Sequence, residues 1–259
     1  MQLTKHHGLG NDFLVLIDLD ATETVTPALA RAVCDRHTGI GADGLLHVTS
    51  GLTMRLYNAD GGRAEMSGNG ISCLAQAVVR AGVVAGPTVV VNTDAGARTV
   101  TLQPTDDPRT HRATVDMGEA KVGDDETEWL DDQVVRAARV DIGNPHLVLH
   151  APRLDAGIDL VARGLTINEL VPEGINVELV APGPADGELT MRVYERGVGL
   201  TEACGTGACA VAAAAHQWGL AGERVIVRQP GGPADIVMGD TIRMTVPVVH
   251  IATIEYEAR

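Results

Sequence analysis

Aromatic side chains are almost missing from this chain. Phe, Trp and Tyr make up 2% of its 259 residues, while hydrophobic residues as a whole reach 45%. The core therefore has to be built from Val, Leu, Ile and Ala, and the apolar fraction is that of a globular protein. Lysine is as scarce, with only Lys5 and Lys121. A pyridoxal-phosphate enzyme needing a Schiff-base lysine would have these two candidates, and neither stands in a glycine-rich phosphate-binding context. No apolar run reaches the roughly 18 residues that cross a bilayer. The start, MQLTKHHGLGND, has no apolar signal-peptide region. A cytoplasmic location is expected. The net charge of -14 opposes phosphate backbones and anionic lipids, so neither nucleic acid nor membrane is an expected partner. The four cysteines, Cys34, Cys73, Cys204 and Cys209, contain no CxxC pair. A zinc or thioredoxin-type site is not expected, and no metal ligand set is assigned. Cys34, Cys73 and Cys209 read as small buried apolar residues.

What is present is a repeat. LTMRLYNADGGRAEMSGNG (52–70) and LTMRVYERGVGLTEACGTG (189–207) share an ungapped core at a constant offset of 137 residues, which aligns Tyr57 with Tyr194, Glu65 with Glu202 and Ser67 with Cys204. Two fainter echoes keep the same order. GNDFLVL (10–16) resembles GNPHLVL (143–149), and GIGAD (39–43) resembles GINVE (174–178) at an offset of 135. A long duplication of this kind implies two domains of similar fold. The first spans 1–117 and the second 118–248, with the strand 249–259 able to complete the first. The join is placed near VDMGEAKVGDDETEW (115–129), where Gly and acidic residues cluster and periodicity fails. LTMRLY and LTMRVY read as strands, and TVVVNT and ARTVTLQP straddle DAG as a hairpin. One strong helix per half follows Ser67 and Cys204, ending near Gly82 and Gly219. The second is so rich in Ala that burial all round is expected. Strands outnumber helices without alternating strictly, so the fold class is α+β: two pseudo-repeat α/β domains, each a mixed sheet around a central helix.

The two loop-to-helix junctions, SGNG and CGTG, carry the chemistry. The first amides of a helix lack internal partners and sit at the positive end of its dipole. Glycines let a ligand approach that backbone closely. Each junction is therefore a small anion site, with Ser67 or Cys204 at the N-cap. Serine is also a common N-cap for mechanical reasons alone. A thiol in this position is expected to have a lowered pKa and to serve as a base. Two acid/base groups on opposite faces of one carbon would remove a proton from one side and return one to the other, inverting its configuration without a cofactor.

With these motifs the chain resembles the diaminopimelate epimerase family over nearly its whole length. The matching runs are HGLGNDF (7–13), GIGADG (39–44), YNADG (57–61), SGNG (67–70), GNPH (143–146), GINVE (174–178), YERGVG (194–199) and CGTG (204–207). The resemblance implies pyridoxal-independent interconversion of LL- and meso-diaminopimelate in lysine and cell-wall precursor synthesis, with the active site in a cleft between the halves. It implies no cofactor, the small amino-acid substrate as partner, and a homodimer as the assembly to look for. It makes Cys204 one of two acid/base residues and gives the amides of Gly68, Asn69, Gly205 and Thr206 to the reacting carboxylate. Asn11, Asn58, Asn144, Asn176 and Arg196 would surround the substrate, mostly at its distal amino-acid end. Glu195 and His146 would stand near the reacting amino group.

One position departs. Ser67 stands where the family has its second cysteine, and Cys73, six residues into the helix, lies more than a turn away. Three readings stay open: an engineered exchange, which the cleanness of the other motifs favours, a natural homologue with one-sided chemistry, or a serine working through water or a neighbour. Gly44 is a smaller difference, since some members carry a glutamine there that reaches the substrate. The competing functions are a racemase or epimerase of another amino acid and an amino-acid-binding homologue without turnover.

Overall fold

The computed structural model describes residues 1–64, 66–94, 96–154 and 157–257. Glu65 of the repeat, Ala95 of the DAG turn, and Ala258 and Arg259 at the end of the expected closing strand lie outside the described residues. The chain divides into two units, Met1–Val115 with the segment from Val246 onward, and Asp116–Thr245. The expected halves were 1–117, with 249–259, and 118–248.

The first unit contains, in chain order, β1 (Gln2–Gly8), β2 (Asn11–Ile17), α1 (Pro27–Cys34), β3 (Gly44–Thr49), β4 (Thr53–Asn58), β5 (Arg63–Ala64), α2 (Gly68–Arg80), β6 (Thr88–Thr93), β7 (Gly96–Pro104) and β8 (Thr110–Gly118). The second contains β9 (Lys121–Asp125), β10 (Arg136–Asp141), β11 (Pro145–His150), α3 (Leu160–Leu170), β12 (Asn176–Pro182), β13 (Glu188–Glu195), β14 (Gly199–Thr201), α4 (Gly205–Gln217), β15 (Arg224–Gln229) and β16 (Gly232–Val237). A last long strand, β17 (Ile242–Glu255), gives its first residues to the second unit and the rest to the first. The stretch 115–129, expected to lack periodic structure, instead holds the end of β8, all of β9 and a single 3-10 turn at Thr127–Trp129. Pairing of β9 with β10 organises a segment whose own composition reads as loop.

In the first unit the pairing order is β17, β1, β2, β3, β4, β6, β7 and β8, and β8 pairs back onto β17. The β2–β3 and β4–β6 pairs are parallel. In the second unit the order is β9, β10, β11, β12, β13, β15, β16 and the start of β17, with β11–β12 and β13–β15 parallel. The same path is traced twice. Each sheet wraps its own helix: α2 touches β1, β2, β3, β6 and β7, and α4 touches every strand from β9 to β13 together with β15 and β16. That enclosure is why Gly68 to Val78 and Gly205 to Ala215 are buried without a break. The Ala-rich sequence of α4 is the consequence, since an encircled helix has little room for long side chains.

The helices α1 and α3 were not foreseen. Thr26 caps α1 by accepting from the Leu29 amide at 3.1 Å, and Pro27 supplies a first-turn φ at no cost in hydrogen bonds. Ala30, Val33 and Cys34 of α1 pack with Leu3, Leu14, Leu16 and Leu45. On α3, Leu160 and Ile167 pack with Leu147, Leu149, Val177 and Leu179. Both clusters are almost wholly aliphatic, as the shortage of aromatics requires, and each fully buried Leu or Val contributes about 1.5–3 kcal/mol.

Strand register corrects one part of the sequence repeat. Phe13 pairs with Gly44 across β2–β3, and His146 pairs with Asn176 across β11–β12. Leu45 faces Tyr57, and Val177 faces Tyr194. Both relations make Gly44 the counterpart of Asn176, an offset of 132 residues and not 135. The shared letters of GIGAD and GINVE are therefore out of structural register by three positions.

Candidate active site

The two junctions are built alike. Ser67 is the N-cap of α2 and its Oγ accepts from the Gly70 amide at 3.1 Å; Cys204 is the N-cap of α4 and its Sγ accepts from the Gly207 amide at 3.3 Å. Both caps are extended, with φ/ψ of -142/126 and -128/115. The fourth amides, of Ile71 and Ala208, bond to the carbonyls of Ser67 and Cys204 at 2.9 Å. In each turn this leaves the first two amides, of Gly68 and Asn69 or of Gly205 and Thr206, with no helix carbonyl ahead of them. These are the four amides assigned to the carboxylate from the sequence.

In the first unit the tight turn at Leu9 and Gly10, both at positive φ, delivers Asn11 to the start of β2. The Asn11 amide group is oriented by Asp43, whose Oδ2 accepts from Nδ2 at 2.7 Å, and Asn69 Nδ2 reaches Asn11 Oδ1 at 3.5 Å. Asp43 is in turn held by Arg36 at 2.8 Å, beside an Asp12 that pairs with Arg36 and Lys5 at 2.7 and 2.9 Å. Asn58 closes β4, opposite Gly44. A Cβ on Gly44 would stand 2.8 Å from the Tyr57 carbonyl oxygen and 3.2 Å from Phe13 Cε1. A glutamine at this position would require the strand to shift.

In the second unit Asn144 Nδ2 donates to Thr206 Oγ1 at 3.4 Å, the counterpart of the Asn69–Asn11 contact. His146 is fully buried, its Nδ1 2.7 Å from Glu178 Oε1 and its Nε2 3.0 Å from Asn144 Oδ1. Asn176 accepts the Arg196 amide on Oδ1 at 2.9 Å, and Arg196 Nη1 donates to the Glu173 carbonyl at 3.0 Å. The Arg196 stem lies over Gly174, where a Cβ would come within 2.4 Å of Arg196 Cδ. Glu195 ends β13, in the place that Asn58 holds on β4, and accepts from the Thr201 hydroxyl. The assigned residues thus gather into Asn11 with Asn69 in one unit. In the other they gather into Asn144, His146, Thr206 and Cys204, and separately into Asn176 with Arg196.

The thiol itself overturns an expectation. Cys204 is only 7% exposed. Burial, followed by the Glu195 and Glu178 carboxylates, pushes it well above the usual thiol range, and the bonds from Thr206 and Gly207 pull it down by less. The lowered value inferred from the helix N-terminus is wrong for this site because the dipole acts from one side while desolvation acts from all. Cys73 and Cys209 are raised by burial too, and Cys34 is pushed up to about 12, first by burial and then by Asp12 and Asp43.

Three residues escaped the sequence reading. Glu178 lies inside the GINVE run but looks like an ordinary alternation in a strand. Asn168, whose Oδ1 accepts from the Ile175 amide at 2.8 Å, shapes the turn before Asn176. Gln229 holds the Cys204 amide on Oε1 at 2.7 Å. Only Glu178 carried a signal, as a carboxylate inside the apolar run INVELVA.

Two copies of an α+β unit, each a sheet wrapped around a capped helix whose first two amides face no helix carbonyl, make up the scaffold. A predicted epimerase from Pseudomonas aeruginosa has the same fold, with a TM-score of 0.77 at 16% identity over 100% of this chain and 99% of its own. The family profile described as diaminopimelate epimerase matches residues 3–123 and 138–249, and the chain belongs to that family of isomerases. The diaminopimelate epimerase of Thermobifida fusca is 39% identical, covering 97% of this chain and 96% of its own length. That of Desulforudis audaxviator is 41% identical over 90% and 89%. No helix among the described residues is long and apolar enough to cross a membrane.

Proposed function

We propose that this chain interconverts LL- and meso-diaminopimelate by moving the α-proton between a group of each unit, without a cofactor. The observation that carries the reading is the duplicated junction. Ser67 and Cys204 occupy equivalent N-caps, each beside two helix amides suited to one carboxylate. When Cys204 acts as base, its thiolate takes the α-proton, the C–H electron pair passes onto the carbon and its carboxylate, and a proton arrives from the other face. When Cys204 starts as the thiol, as its surroundings favour, it gives that proton and the opposite face must take one. Asn11, Asn58, Asn144, Asn176 and Arg196 hold the remaining polar groups, and Glu195 and His146 flank the reacting amino group. The place of work is the cytoplasm, in lysine and cell-wall precursor synthesis, and the working assembly is a homodimer.

A second reading rests on Ser67. A neutral hydroxyl is a poor base near neutral pH, so the chain would bind diaminopimelate and exchange its α-hydrogen on one face with little inversion. Incubating each isomer with the protein and separating the products on a chiral column tests both. Interconversion supports the first reading, and tight binding without it supports the second. Failure to bind either isomer rules out both.

A further inference from the structure

Asn11 and Asn144 hold the same place in the two units, each two residues ahead of a pair that register aligns, Phe13 and His146. Their surroundings differ. Asn144 stands between the Thr206 hydroxyl and a ring nitrogen of His146, groups that can each give or take a hydrogen bond. Asn11 stands against Asp43, its Nδ2 2.7 Å from Asp43 Oδ2. Strand register makes Ile175 the counterpart of Asp43, and an aliphatic side chain has nothing to offer an amide. The first unit therefore holds its asparagine by a device that the second does not repeat.

The donors around Asp43 give that contact its direction. The Asp12 backbone N–H reaches Oδ2 at 3.0 Å, and an Arg36 guanidinium N–H reaches Oδ1 at 2.8 Å. Neither donor can reverse its role, so both oxygens accept. An acceptor at 2.7 Å must face the hydrogen-bearing end of the Asn11 amide, which turns the Asn11 carbonyl oxygen the other way. There it meets Asn69 Nδ2 at 3.5 Å, a long contact. A carbonyl oxygen has two lone pairs and can take a second, stronger donor. Asp43 is itself held fast. Its own amide donates to the Asp12 carbonyl at 2.9 Å. Lys5, one of the two lysines, ties down the preceding loop by donating to the Gly41 carbonyl at 2.7 Å.

We propose that Asp43 is a positioning residue, which turns the Asn11 amide so that its carbonyl oxygen accepts from an ammonium group of the bound amino acid. This role deepens the proposed function and rests on Asn11 meeting the substrate. Asn69 links the two halves of the recognition. Its side chain touches the Asn11 oxygen, and its backbone amide is one of the pair suited to a carboxylate. A carbonyl oxygen beside that pair fits a zwitterion, with the carboxylate on the amides and the ammonium on the oxygen. With the amide reversed, an NH2 group would face the ammonium and repel it. The charge of Arg36 matters less than the oxygen it touches. That side chain is half-exposed, so water screens its pairing with Asp43, whereas the Asp12 amide fixes where an acceptor must lie.

The test joins magnetic resonance of the whole protein, labelled in its asparagines and free of ligand, to calorimetric titration of diaminopimelate. In the wild type one Nδ2 hydrogen of Asn11, identified by its loss in Asn11→Ala, should be shifted downfield and exchange slowly with water. Asp43→Asn keeps an oxygen under the Asp12 amide and should preserve that signature, whereas Asp43→Leu should erase it. Asp43→Ala serves should the leucine variant fail to fold. Asp43→Leu and Asn11→Ala should each weaken diaminopimelate binding about tenfold, the scale of one hydrogen bond to a charged group. The double variant should lose no more than Asn11→Ala alone, and Asp43→Asn should stay within about threefold of the wild type. A side chain needed only for its charge or for folding would fail in Asp43→Asn as it does in Asp43→Leu. That result, losses that multiply, or an Asn11 signature absent from the wild type or indifferent to the change at position 43 overturns the proposal. Should the wild type bind no diaminopimelate, the proposed reaction falls, and the Asn11 signature alone decides the role of Asp43.

Discussion

Gly207 leaves the space that Glu178 fills, its missing Cβ standing 2.7 Å from the Glu178 Oε1 oxygen. The same glycine donates its amide to Cys204 Sγ, so one residue serves the carboxylate with its absent side chain and the thiol with its backbone. Gly207→Ala should cost about 1–3 kcal/mol, because Glu178 is fixed by His146 and cannot retreat without breaking a buried pair. At Gly70 the nearest obstacle is Ser67 Cβ at 3.1 Å, and Gly70→Ala should cost about 1 kcal/mol or less. Urea unfolding of the two variants side by side checks this, and equal losses would contradict the packing argument.

His6 makes the first unit sensitive to acid. It is buried with Nδ1 2.7 Å from Gln76 Oε1 and Nε2 3.0 Å from Thr4 Oγ1, and its ring meets that of His250 at 5.0 Å. Burial, with His250, Arg80 and His7 nearby, lowers its pKa from 6.5 to about 4 against a raising bond from Gln76. The folded state thus prefers the neutral ring, while the unfolded chain takes a proton first. Stability is complete above 6.5, falls as the pH drops from there towards 4, and is flat below, a total of about 3 kcal/mol. His111 and His250 are lowered by burial as well and add in the same direction. Unfolding free energies at about pH 7 and about pH 5 should differ by ~2 kcal/mol from His6 alone. In His6→Gln that part of the difference should vanish, and an unchanged pH slope would refute it.

Local chemistry was legible in the sequence and long-range geometry was not. Ser67, Cys204 and their glycines announce capped helices because an N-cap and its first turn are neighbours in the chain. The helix ends at Gly82 and Gly219, both at positive φ, were legible for the same reason. The slip between GIGAD and GINVE arose because strand register is set by a partner far away in sequence, Phe13 for one and His146 for the other. The direction of the Cys204 shift failed likewise. The helix dipole can be read from five residues, whereas desolvation depends on everything packed around them. Glu178 carried a signal, as a carboxylate in an apolar strand, but its partner His146 lies on another strand, two residues from the position opposite it, and no local pattern pairs the two.

Arg196 should report on the distal end of the substrate. One guanidinium nitrogen is committed to the Glu173 carbonyl and the stem is seated on Gly174, so the head group is held in place before any ligand arrives. Arg196→Ala should weaken diaminopimelate binding by about 1.5–3 kcal/mol, the range of a hydrogen bond to a charged group. Lysine lacks the distal carboxylate and should bind far more weakly from the start, with little further loss. Calorimetric titration of both ligands separates the cases. Equal losses would place Arg196 away from that carboxylate.

Ser67 should decide how much of the proposed reaction survives. Inversion needs a donor on one face and an acceptor on the other, and only Cys204 offers a thiol. Abstraction and return by Cys204 exchange the α-hydrogen without changing configuration. On the proposed reading, passage to the other isomer needs the Ser67 hydroxyl, which is far less acidic than a thiol, so forming its alkoxide costs much more than forming a thiolate. Each tenfold loss of rate adds ~1.36 kcal/mol to the barrier, and several such factors are expected. In deuterated water one isomer should therefore gain α-deuterium faster than it epimerises. Ser67→Cys should restore rapid inversion, since its cap geometry already matches that of Cys204, and Cys204→Ala should abolish exchange. Proton magnetic resonance of the α-position, followed alongside chiral separation, measures both rates in one sample. If the chain with Ser67 inverts diaminopimelate as fast as Ser67→Cys, a second thiol is not what this scaffold requires.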